Sequence, residues 1–198
     1  TGPVTHGKAW VEMIHRYLAT AVGGLIIVLT ASAWLQRKRG GPQPISPWWP
    51  TVTLVWVLIQ GAFGALTVTM KLFPAIVTLH LLGGTVLLML LTVQATRHTQ
   101  FADNLGLVPV PRLLRGLVAV TALLVFAQVT LGGWVSTNYA VLACTSFPMC
   151  NGAWWPAMNF DGFQIWRPLG FLADGAHISY EALVAIHYMH RLFAYLVI

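Results

Sequence analysis

Two histidines in this chain are followed directly by arginine, at His15-Arg16 and His190-Arg191, and each pair sits near the start of a long apolar run. A third, His80, lies six residues beyond Pro74 in another such run. Neutral imidazole is a common axial ligand of iron. A neighbouring guanidinium binds carboxylates through a planar two-point fork. Histidine and arginine side by side, in a stretch that excludes water, therefore suit a flat iron cofactor with acidic side arms. The chemistry these residues point to is axial ligation of buried haem.

The elements that must hold them are membrane helices. Hydrophobic residues make up 57% of the 198 and charged residues 8%, far from the composition of a soluble domain. A helix crosses a hydrocarbon core of about 30 Å with roughly 20 apolar residues. Five segments qualify, at about 11–35, 51–70, 75–96, 113–135 and 180–198. Lipid offers no hydrogen bonds to the backbone, so each is expected to be a helix. The expected fold is all-α, a polytopic transmembrane helix bundle.

Basic residues orient it. Arg37, Lys38 and Arg39 fall in the first connection, and Arg97, Arg112 and Arg115 in or beside the third, which places both connections on the cytoplasmic side. The Lys71-Leu72-Phe73-Pro74 turn and the outer loop 136–179 then face outward, and the histidine sites lie towards the outer, periplasmic side. The net charge of +6 has this topological origin. No basic face of a soluble domain is visible, so nucleic acid is excluded as a partner and membrane lipid is the expected surroundings. The chain opens on Thr1 and stops eight residues after His190, and it reads as a fragment of a longer protein.

His15 and His80 fall at matching depths. One histidine alone is explained as well by a hydrogen bond between packed helices. Two at one depth point to a shared ligand, because ionisable groups within spans face the bundle interior and its cofactors or proton paths. Arg16 runs against the orientation bias, which a local anion such as a haem propionate explains. A salt bridge to Glu12, four residues earlier, or snorkelling to the interface explains it too. The pair recurs at His190-Arg191, so a four-helix unit repeats across the chain. Three residues before the histidine the first copy has Glu12 and the second His187. A carboxylate on the face of a metal ligand can take part in proton transfer, so the first site is equipped for chemistry and the second for holding a cofactor. Pairing of Glu12 with Arg16 is the structural alternative. His187 shares a face with His190 and either could reach iron; the match to His15-Arg16 favours His190. His6, His98 and His177 are expected in solvated loops.

Cys144 and Cys150 lie in the outer segment with five residues between them. An oxidising compartment permits a disulfide there, two unrelated thiols being the alternative, and two cysteines are too few for structural zinc. Trp154, Trp155, Trp166, Phe160 and Phe163 crowd the same loop, as interfacial anchors or as a lid over a pocket. Glycines within the spans, at Gly23-Gly24, Gly61-x-x-Gly64, Gly83-Gly84 and Gly132-Gly133, allow helices or a macrocycle to approach closely.

Taken in order, Glu12-Met13-Ile14-His15-Arg16, Thr78-Leu79-His80-Leu81-Leu82-Gly83-Gly84, Gly132-Gly133-Trp134-Val135-Ser136-Thr137-Asn138-Tyr139, Cys144 to Cys150, Trp154-Trp155-Pro156 and Ile186-His187-Tyr188-Met189-His190-Arg191 resemble the haem A synthase family of bacterial (plasma) and mitochondrial inner membranes. The resemblance implies two pseudo-symmetric four-helix bundles. Here 1–96 would be the first half without its opening helix, 97–112 a cytoplasmic linker, and 113–198 a truncated second half. It implies that His15 and His80 flank the substrate haem O with Arg16 beside them, that Glu12 is catalytic, and that His190 ligates a haem b with Arg191 at a propionate. The implied reaction is that of an oxidoreductase, taking a haem O ring methyl to a formyl group by successive hydroxylations and giving haem A for terminal oxidases. Haem O synthase, oxidase assembly factors and a second copy of the chain are the partners such a protein would meet. The opening helix, its cysteine pair and the fourth histidine are not in the 198 residues, so the fragment alone is expected to be inactive. A non-catalytic di-haem b-type cytochrome for electron transfer is the alternative, and a transporter with histidine proton relays a third. Glu12 separates the first two, because an electron carrier needs no carboxylate beside its iron.

Overall fold

The computed structural model describes residues 7–106 and 108–198. His6 lies outside the described residues. Five α-helices follow in chain order: α1 Gly7–Lys38, α2 Trp48–Thr69, α3 Pro74–Ala102, α4 Arg112–Thr137 and α5 Tyr180–Val197. Each expected segment is a helix, and among the described residues no strand interrupts them. Four, α1 to α4, are long and apolar enough to cross a membrane. The fifth has 18 residues and carries Glu181, His187, His190 and Arg191 along its length.

Helix ends differ from the expected ones for a common reason. Counting apolar residues stops at the first charges, but the backbone ladder does not. Arg37 and Lys38 form the last turn of α1, where positive charge is favourable against the helix dipole. Likewise α3 runs on to Ala102, so His98 is an exposed helical residue and not a loop residue. His177 does lie in a loop, its ring 4.6 Å from that of Phe171.

The chain divides into two compact units, Thr1–Gly61 with Val86–Gly106, and Ala62–Thr85 with Leu107–Ile198. The first is stitched by polar contacts between spans. Thr30 donates to the Pro50 carbonyl at 3.1 Å, Trp34 Nε1 to Thr51 Oγ1 at 3.0 Å, and Gln94 Nε2 to Thr53 Oγ1 at 2.7 Å. Such bonds hold helices where lipid supplies no hydrophobic drive between them.

In the second unit α5 packs on α4 and on the outer loop. Ser179 caps α5, its hydroxyl accepting from the Ala182 amide. One core joins Ala75, Trp134, Val135, Ala140 and Ile186; another joins Ala143, Cys144, Cys150, Val184 and Tyr188. The Cys144–Cys150 disulfide is formed.

Candidate haem-ligand site

Residues 187, 190 and 191 of α5 are three and four apart, so they share one face of the helix. Arg191 Nε donates to His187 Nε2 at 3.0 Å. The rest of its guanidinium grips the disulfide loop, donating to the carbonyls of Ser146 at 2.6 Å, Cys144 at 3.2 Å and Met149 at 3.4 Å. A neutral imidazole offers one lone pair and one N–H. On the other side of the buried His187 ring the Cys144 amide donates to Nδ1 at 3.3 Å, so both ring nitrogens face N–H donors that share the one lone pair. Both ring nitrogens of His187 are therefore engaged within the protein. Among the described residues the one ion pair is that of Arg16 with Glu12, so the charge of Arg191 has no carboxylate against it.

His190 is the opposite case. Its Nδ1 is buried without a hydrogen-bond partner. Two residues of α4, one turn apart, hold it. Gln128 Nε2 donates to the His190 carbonyl at 3.2 Å. Gly132 lies so close that a Cβ there would stand 3.0 Å from the imidazole Cε1. A haem fits this residue on both counts: an imidazole held against Gly132, and an Nδ1 without a hydrogen-bond partner among the described residues. On the neighbouring face of α5, Leu131, Phe160, Phe163, Met189, Leu192, Phe193 and Leu196 line an apolar groove of about 400 Å³.

His80, partly buried in α3, stands in the same relation to α2: a Cβ on Gly64 would meet its Cε1 at 3.4 Å. Two residues earlier Thr78 Oγ1 lies 3.3 Å from Thr137 Oγ1 of α4. His15 is an exposed residue of α1, and beside it Arg16 Nη2 donates to Glu12 Oε1 at 2.7 Å across one helical turn. His15 belongs to the first compact unit, His80 and His190 to the second.

Two residues that matter here were not singled out from the sequence. Gln128 is one; a glutamine within an apolar span was its signal. Arg167 is the other, a lone basic residue within the outer loop 136–179. It is fully buried, donating to Asn138 Oδ1 at 2.6 Å, to the Gly162 carbonyl at 2.8 Å and to that of Phe171 at 3.1 Å, with its charge 5.7 Å from the Trp134 ring centre. Trp134 Nε1 closes the network on the Gly162 carbonyl. Burial lowers the guanidinium pKa, and the three acceptors offset that cost. Arg167 thus ties the outer loop to the end of α4.

Residues 2–198 match the protein family described as Cytochrome oxidase assembly protein. The chain belongs to that family. A haem A synthase of Shewanella oneidensis is 36% identical over 188 residues, covering 93% of this chain and 54% of the relative. Those of Shouchella clausii and Brucella ovis are 29% and 25% identical, covering 74% and 96% of this chain and 48% and 50% of their own. The chain spans about half the length of these curated relatives. No solved structure matches it.

Proposed function

We propose that this chain is part of a haem A synthase, an integral membrane oxidoreductase that takes a ring methyl of haem O to the formyl group of haem A by successive hydroxylations. The observation that carries the reading is the family match over residues 2–198, with haem A synthases among its relatives. His190 adds support, as a partly buried imidazole whose Nδ1 has no hydrogen-bond partner among the described residues.

In this reading His15 and His80 ligate the substrate haem O, Arg16 faces its propionates, and Glu12 is the carboxylate able to take a proton near the reacting methyl. His190 ligates haem b, with the unneutralised charge of Arg191 favouring its acidic arms. Haem b, when bound, supplies electron transfer. His187 holds the Arg191 guanidinium in place. The two halves, 1–96 and 113–198 about the linker 97–112, serve the substrate and the haem b respectively. The sites lie towards the outer side of a bacterial or mitochondrial inner membrane, with haem O synthase supplying substrate and oxidase assembly factors or a second copy of the chain as neighbours.

The test is chromatography of haems extracted from full-length protein co-expressed with a haem O synthase, in wild-type and Glu12→Ala forms. Haem A or hydroxylated haem O in the wild type, lost in E12A while haem b remains, is the expected result. Haem b alone in both forms overturns the reading in favour of an electron carrier.

A further inference from the structure

The pattern Gln-x-x-x-Gly occurs in α2 as Gln60 to Gly64 and in α4 as Gln128 to Gly132. Residues four apart share a helix face. In both copies the glycine faces the imidazole of the next helix, His80 at 3.4 Å and His190 at 3.0 Å from where a Cβ would be. In both copies the glutamine has a buried side-chain oxygen without a partner. In α4 the glutamine also donates to the backbone carbonyl of the histidine itself.

We propose that this repeated pair braces the histidines, Gly132 and Gln128 being positioning residues for His190 and Gly64 for His80. The inference rests on the reading of His190 as a haem b ligand. An imidazole is rigid and can answer crowding only by turning about χ1 and χ2. At 3.0 Å an added methyl at position 132 is tighter than ordinary packing, so the ring must give by a few tenths of an ångström. A turned ring presents its lone pair to iron at another angle, which alters the ligand field. At 3.4 Å a methyl on position 64 makes ordinary contact, so crowding there needs a branched side chain. The brace is thus tighter at His190 than at His80. Gly116, also in α4, faces open space and serves as the control.

The experiment uses the full-length protein in detergent, loaded with haem b, and reads the low-spin electron paramagnetic resonance signal and the midpoint potential. Gly132→Ala is expected to keep haem b with both readouts shifted, Gln128→Leu to shift them in the same sense, and Gly116→Ala to match the wild type. Gly64→Val is expected to shift the spectrum of bound haem O and leave the haem b signal in place. Should G132A fail to accumulate, the double variant G132A/H190A must recover to the level of H190A, because the added methyl then has no ring to strike. Wild-type haem b signals in G132A, or a double variant no better than G132A, overturn the brace. If H190A keeps its haem b, the ligand reading itself falls and the brace with it. That result differs from failure of the brace alone, where H190A loses haem b and G132A is unchanged.

Discussion

Arg191 spends most of its hydrogen-bonding capacity on the disulfide loop, so its removal should be felt there first. Three loop carbonyls and the His187 ring lose a charged donor in Arg191→Gln. Hydrogen bonds to charged groups contribute roughly 1.5–3 kcal/mol each to stability, and a few are lost together here. The expected outcome is a lower Tm and faster reduction of Cys144–Cys150 by thiol, followed by alkylation of the freed cysteines. An unchanged reduction rate would show that the loop does not need the clamp. Arg167→Leu is expected to cost about 2–4 kcal/mol, because it strands the buried acceptors of Asn138, Gly162 and Phe171. Limited proteolysis of the outer loop 136–179 measures it. The sequence marked Arg191 as able to bind an anion, and the structure adds that the arginine grips carbonyls from more than forty residues away. Sequence spacing cannot anticipate such contacts, because they exist only once the disulfide loop folds back on α5. Arg167 escaped for the same reason, since a lone loop arginine becomes structural only when Asn138, Gly162 and Trp134 converge on it.

At the scale of the helix, α1 carries its functional candidates on an exposed face. The Glu12–Arg16 pair is solvent-accessible on both sides, and an exposed pair of this kind contributes under about 1 kcal/mol. Glu12→Ala should leave Tm within a degree or two while abolishing conversion of haem O. A fall in Tm as large as that of Arg167→Leu would mean that the carboxylate serves the fold. All five helices were legible because continuous apolar runs admit no other structure in lipid. Their ends were not, since Arg37, Lys38 and the stretch to Ala102 extend α1 and α3 past the last apolar residue. The glycines of the spans were visible as small residues. That Gly64 and Gly132 serve imidazoles, where Gly23 and Gly61 meet nothing within 4 Å, depends on the facing helix.

For the molecule as a whole, the family match goes with four helices long and apolar enough to cross a membrane. The difference between Glu12 and His187, three residues before each His-Arg pair, now has a physical counterpart. His187 is buried, with its ring nitrogens engaged by Arg191 and the Cys144 amide, whereas Glu12 sits on an exposed turn. The residue three places before one His-Arg pair is a support, and the residue at that place before the other is accessible. On this account His80→Ala should lose bound haem O and keep haem b, and His190→Ala should do the reverse, as read by haem extraction from each variant. The most direct test of the account supplies purified full-length protein with haem O, a reductant and oxygen, and follows the haem by mass spectrometry. Appearance of the hydroxymethyl and then the formyl derivative is the predicted result. Haem O recovered unchanged, from protein shown to have bound it and to hold reduced haem b, would contradict it.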